Sequence, residues 1–148
     1  MINKDSLRTP FQVISLFGTP FFYIPVAAYF LKINSKFAIK LIFILTFTEI
    51  ICAVIKYLYP KDRPVPMPNK TFIQKYFAGS FPSVHTARIT AFSIGIISFY
   101  ANKIFILILS LAIIAVGYSR IYLKKHYFTD VAAGFLIGAV ISTLMLGI

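Results

Sequence analysis

The chain has 148 residues, 59% hydrophobic and 13% charged, with a mean hydropathy of +0.83. A soluble domain of this size carries roughly half apolar and about a quarter charged residues, so this excess of apolar surface excludes a small aqueous core and requires lipid. The net charge of +11, from 15 basic and 4 acidic residues, would suggest nucleic acid in a soluble protein; here the cations cluster at the ends of apolar runs, where anionic headgroups lie, so the expected partner is the bilayer and not nucleic acid.

A helix needs about 20 apolar residues to cross the hydrocarbon. Runs of that kind lie at Phe11–Leu31, Phe37–Tyr59, His85–Tyr100, Ile104–Leu123 and Thr129–Ile148. They predict an all-α, multi-pass transmembrane bundle of about five spans. No linker, repeat or low-complexity tract divides the chain, so residues 1–148 are expected to form one domain.

Gly18 and Pro20 interrupt the first run, which reads either as one span or as an interfacial helix followed by a kinked span. Lys4, Arg8 and the Val26-Ala27-Ala28 stretch also permit a cleaved signal peptide, although the run is long for one and contains proline. The second run holds Cys52, the lone cysteine, which offers no disulfide within the chain and reads as a small buried hydrophobe. The proline-rich stretch from Pro60 to Pro82 is expected to be a short extended or looped cap over the membrane. Its aromatics Phe72, Tyr76, Phe77 and Phe81 belong at headgroup depth, as anchors more readily than as a lid.

Chain direction reverses at each crossing. Lys56 and Arg63 end the second run, Ser83 and His85 open the third, and Arg120 to Asp130 bridge the fourth and fifth. All three polar clusters therefore fall on one membrane face, whether or not the first run spans.

The first cluster, KYLYPKDRP, holds Lys56 and Arg63-Pro64; alone, such cations would be ordinary snorkelling residues. The second, FPSVHTAR, reads as a helix start with Ser83 as N-cap. The free amides of Val84 and His85 would then face outward and suit a phosphate. The third, SRIYLKKHYFTD, offers Arg120 for bidentate phosphate contact. His126 and Asp130 stand four apart on one helical face, where Asp130 accepting from Nδ1–H would leave Nε2 free to attack. The four acids, Asp5, Glu49, Asp62 and Asp130, are too few for a two-metal phosphatase site. No metal and no cofactor are expected, and cations with backbone amides would stabilise any phosphoryl chemistry.

Taken together, Lys-x6-Arg-Pro, Pro-Ser-x-His and Ser-Arg-x5-His-x3-Asp resemble the three-part signature of the type 2 phosphatidic acid phosphatase family, which includes lipid phosphatases and shares its fold with vanadium haloperoxidases. The motifs span Lys56–Asp130, about half the chain. The resemblance implies that His126 is the nucleophile forming a phosphohistidine, held by Asp130, and that His85 protonates the leaving oxygen. It implies further that Lys56, Arg63 and Arg120 hold the phosphate oxygens, assisted by Ser83 and nearby amides. Val84 stands where the family usually has glycine. Its amide is expected to donate from ordinary helical geometry, with the side chain turned into the bundle.

Arg88, one turn below His85, reads either as part of the phosphate site or as a partner of Glu49 within the bundle. Lys124 and Lys125 read as interface anchors, and Gly134 with Gly138 as a tight-packing step more readily than a dimer face. Lys32, Lys36, Lys40 and Lys103 lie at the opposite ends of the runs, which the positive-inside rule makes cytoplasmic. The site would then face the periplasm or exterior of a cell (inner or plasma) membrane. The expected function is dephosphorylation of a membrane lipid, with lipid A 1-phosphate, phosphatidylglycerol phosphate, undecaprenyl pyrophosphate and phosphatidic acid as candidates. The alternative is a non-catalytic module that binds anionic lipids, and the sequence leaves the oligomeric state open.

Overall fold

The computed structural model describes residues 4–147. Ile148, the predicted end of the last run, and the side chains of Lys4 and Asp5 lie outside the described residues. The helices are α1 (Lys4–Leu16), α2 (Pro20–Ile33), α3 (Ser35–Leu58), α4 (Phe72–Ala78), α5 (Val84–Tyr100), α6 (Lys103–Tyr122) and α7 (Phe128–Leu146).

Local chemistry sets most of these boundaries. Proline at the first position of α2 needs no amide donor there, and Gly18 sits in the break before it, so the first predicted run becomes two helices. One residue, Asn34, then reverses the chain. Its amide closes α2 on the Phe30 carbonyl at 2.8 Å, and its side chain accepts from Phe37 N at 3.0 Å to open α3. Asn102 caps α6 in the same way, accepting from Ile104 N at 2.8 Å.

The Pro60–Pro82 stretch is not wholly extended or looped, as the prolines suggest. It contains α4, nucleated by a capping box in which Thr71 and Gln74 satisfy each other's backbone amides. No proline lies between Pro68 and Pro82, so Phe72–Ala78 is free to coil.

Arg8–Ile33, Ser35–Leu58, Lys103–Tyr122 and Phe128–Leu146 are each long and apolar enough to cross a membrane. Within the first, α2 runs beside α5, with Phe22 against Phe92 and Phe30 against Phe99 (ring centroids 5.5 and 5.7 Å). α1 instead lies across the end of α6, where Phe11 packs on Tyr122 at 4.0 Å. The first run is thus divided at Gly18 into two helices with different neighbours, α1 on α6 and α2 on α3.

α5 is the centre of the bundle and packs against α3, α6 and α7. Its 17 residues rise about 26 Å, slightly less than the hydrocarbon core. Residues around its whole circumference are buried, among them Thr86, Thr90 and Ser93, so protein and not lipid is its solvent. α7 approaches it closely. A Cβ on Gly134 would run into the Ser83 carbonyl, and one on Gly138 into the Ala87 carbonyl. The two glycines thus serve packing within the bundle, and the approach brings Ser83 N within 2.9 Å of the Asp130 carbonyl. The end of α3, the starts of α5 and α7 and the end of α6 share one face. On the other, Lys40 Nζ reaches the Leu146 carbonyl at 3.4 Å.

Candidate active site

At the shared face lies a cavity of about 70 Å³ lined by Lys56, Arg63, Tyr76, Phe77, Val84, His85, Arg88 and His126. All three sequence clusters contribute to it. Lys56 comes from the last turn of α3, buried, with Nζ donating to the Gly79 carbonyl. Arg63 comes from the loop before α4, and its Nε is buried without a partner. Val84 and His85 form the first turn of α5. His126 precedes α7 in a turn made possible by Lys124 at φ 54°, with the amides of Lys125 and His126 donating to the Arg120 carbonyl at 3.0 and 3.2 Å.

The His126 ring has a defined polarity. Nδ1 lies 2.7 Å from the Ser80 carbonyl, an acceptor only, so Nδ1 carries the hydrogen and Nε2 keeps the lone pair. Asp130 was expected to take that hydrogen. Its Oδ2 stands 3.8 Å away, within electrostatic reach and beyond a hydrogen bond, so the Ser80 carbonyl orients the ring instead. Asp130, fully buried, accepts from Lys61 Nζ at 2.6 Å and from Tyr127 N at 2.9 Å. Burial, with Arg120, Arg63 and Lys56 nearby, holds His126 down at about 4 against the opposing pull of Asp130. The imidazole is therefore uncharged near neutral pH, as a nitrogen nucleophile must be.

Two predicted phosphate contacts are placed differently. Ser83, also fully buried, shares a 3.0 Å hydrogen bond with the Thr86 hydroxyl and does not line the cavity. It precedes α5 as N-cap but makes no side-chain capping bond. Arg120 is buried against α1, with Nη1 donating to Ser15 Oγ at 2.6 Å, and is likewise absent from the cavity lining. Its Nε has no partner. Buried guanidinium donors without acceptors are unfavourable, and Arg63 and Arg120 each present one that an oxyanion would satisfy. Val84 starts α5 without the positive φ that glycine would permit, and its side chain packs with Cys52 and Ala87. Valine at this position therefore needs no unusual backbone conformation.

Arg88 pairs with Glu49, with Nη2 and Nε 2.6 and 2.7 Å from Oε2. Lys61, Ser80, Tyr76 and Gly18 also shape the site; of these, the sequence marks Tyr76 only as an interfacial aromatic and Gly18 only as a helix break. Lys61 sits inside the first motif and was obscured by its neighbours Lys56 and Arg63. Ser80 acts through its carbonyl, which no side-chain pattern reveals. Among the described residues, no three His, Cys, Asp or Glu side chains form a metal-ligand group.

The model of the PAP2 superfamily matches residues 37–148. An undecaprenyl-diphosphatase of Sulfolobus acidocaldarius is 30% identical over 151 residues, covering 97% of this chain and 73% of that protein. Among solved structures, LpxE of Aquifex aeolicus superposes with a TM-score of 0.83 at 22% identity, covering 99% of this chain and 89% of that one. A PAP2-type phosphatidylglycerolphosphate phosphatase from Bacillus subtilis gives 0.80 at 21% identity, over 99% and 78%. Both share the fold.

Proposed function

The chain belongs to the PAP2 superfamily and is a membrane phosphatase; from that premise we propose that it hydrolyses a phosphomonoester or pyrophosphate of a membrane lipid through a phosphohistidine on His126, without a metal. The observation that carries the reading is the His126 ring, with its Nδ1 hydrogen held by the Ser80 carbonyl and its other edge left for a cavity shared with His85, Lys56 and Arg63.

In the first step Nε2 attacks phosphorus, the bond from phosphorus to the lipid oxygen breaks, and His85 gives that oxygen a proton. In the second, His85 takes a proton from water, whose oxygen attacks phosphorus; the P–N bond breaks and inorganic phosphate leaves. Lys56 and Arg63 neutralise the phosphate oxygens, Arg120 adds positive charge from outside the cavity lining, and the amides at the start of α5 add fixed dipoles. Asp130 stabilises the positive charge that His126 acquires.

The lipid chain has a place to lie. An apolar cavity of about 410 Å³ between α2 and α3 is lined by Tyr23, Ile24, Ala27, Ile42 and Leu45 and reaches Glu49 and Arg88. Arg88 lines this cavity and the phosphate cavity alike. The similar proteins are named for undecaprenyl diphosphate and phosphatidylglycerol phosphate, and these stand with phosphatidic acid and lipid A 1-phosphate as candidate substrates. Lys32, Lys36, Lys40 and Lys103 at the far ends of the helices support a cytoplasmic placement of that face and, with it, a site on the periplasmic or exterior side of the cell membrane.

The test is phosphate release by the detergent-solubilised chain across these lipids, in EDTA, beside His126→Ala. Release that persists in EDTA and disappears in the variant is expected. Release that survives His126→Ala, or that EDTA abolishes and Mg²⁺ restores, would overturn the mechanism.

A further inference from the structure

We infer that Glu49, acting through Arg88, is a positioning residue for His85 in proton delivery to the leaving group. The inference rests on the reading of His85 given above.

Glu49 lies seven residues before Lys56 on α3, about 10 Å deeper along the helix. A carboxylate below the interface is costly and is retained where it serves a site. Glu49 has two partners from different elements. Arg88 of α5 grips one oxygen through Nη2 and Nε (2.6 and 2.7 Å), and the Tyr76 hydroxyl of α4 donates to the other. Arg88 stands three residues after His85, on the same helical face, and its Nη1 donates to the Gly18 carbonyl at 3.2 Å.

Gly18 is the link to His85. Its backbone packs so closely on that side chain that a Cβ there would stand 2.7 Å from His85 Cβ and 2.9 Å from Cδ2. The imidazole is therefore bounded by Gly18, and Arg88 holds the Gly18 carbonyl. Tyr76, on the same carboxylate, lines the phosphate cavity. Glu49 thus joins α4, α5 and the α1–α2 break around the His85 ring, without itself lining the phosphate cavity.

Without the carboxylate charge, Arg88 loses its ion pair with Glu49, and the wall that bounds His85 loosens. The cost falls on the leaving oxygen. An alkoxide must be protonated as it departs, whereas p-nitrophenolate leaves unaided. General acid catalysis contributes about 10²–10⁴-fold, and that contribution is what Glu49→Gln should erode.

The experiment compares kcat and KM of the full-length chain in detergent for dioctanoyl phosphatidic acid and p-nitrophenyl phosphate. Glu49→Gln should lower kcat for the lipid by at least about tenfold and for p-nitrophenyl phosphate by less than about threefold, as loss of acid catalysis requires. Arg88→Lys, which keeps a cation facing Glu49, should retain more of the lipid rate than Glu49→Gln does. Equal losses on both substrates, or no loss, would overturn the inference. If Glu49→Gln does not fold, Glu49→Asp, which keeps the charge and shortens the reach to Arg88, carries the same comparison. Failure of the underlying reading shows separately, since a His85→Ala variant that turns over the lipid at the wild-type rate would remove the acid itself.

Discussion

Replacing Asp130 by Asn separates two jobs that a catalytic carboxylate often combines. As Nε2 of His126 bonds to phosphorus, the ring becomes cationic, and Asp130 Oδ2 stands 3.8 Å from Nδ1. Coulomb's law at 3.8 Å with an effective dielectric of about 20 gives roughly 4 kcal/mol of stabilisation. Lys61, 2.6 Å from the same carboxylate, offsets part of that field. A loss of 3–4 kcal/mol corresponds to a fall in kcat of about 10²–10³-fold. The tautomer should survive, because the Ser80 carbonyl still accepts from Nδ1. Lys61, with its side chain 31% exposed, can turn to water, so the fold should lose only about 1–2 kcal/mol, between the surface and buried limits. The assay is phosphate release per folded enzyme, with folding followed by thermal unfolding in detergent. Wild-type kcat would remove Asp130 from the chemistry. A loss near 10⁴-fold, the cost of a reversed tautomer in a serine-protease triad, would show that Asp130 and not Ser80 holds the ring.

Gly18→Ala places a methyl against the His85 side chain and should lower turnover of lipid substrates at least about tenfold through lost acid catalysis, with expression retained; unchanged turnover would show that the ring has room to move. Gly134→Ala drives a methyl into the Ser83 carbonyl, which as backbone cannot yield, so α5 and α7 must part at a cost of about 1–3 kcal/mol. Its unfolding temperature should fall, whereas Leu136→Ala on the exposed flank of α7 should change it little; equal effects would refute the close approach. With the pKa of His126 lowered to about 4 from an ordinary value near 6.5, the unfolded chain binds a proton that the folded chain refuses. Its contribution to stability is therefore complete above pH 6.5 and is lost as pH falls toward 4. His126→Asn should flatten the pH dependence of unfolding across that window, and an unchanged slope would mean that the folded ring accepts a proton.

The placement of the spans was legible because hydrocarbon demands long apolar runs, and the shared face of the three clusters followed from counting reversals. Both rest on length and direction, which sequence preserves. What it concealed was set by tertiary contact. The prolines before Pro68 masked the short α4, whose capping box depends on Thr71 and Gln74 alone. Asp130 looked like the orienting partner because a spacing of four puts it beside His126, yet the nearer acceptor is a main-chain oxygen from another segment. Ser83 and Arg120 carry the right chemistry in the motif, but Thr86 and Ser15 engage their polar atoms. Arg88 had two readings that the structure does not oppose, since it pairs with Glu49 at 2.6 Å and also lines the phosphate cavity.

The central claim is a covalent bond from phosphorus to His126. Mixing the chain with a ³²P-labelled lipid phosphate, quenching in alkali, where phosphohistidine survives, and mapping the label by mass spectrometry tests it directly. A labelled peptide containing His126, absent from His126→Ala and accumulating in His85→Ala with a good leaving group, is the expected result. Full turnover with no label on any histidine, or with label on His85, would contradict the mechanism.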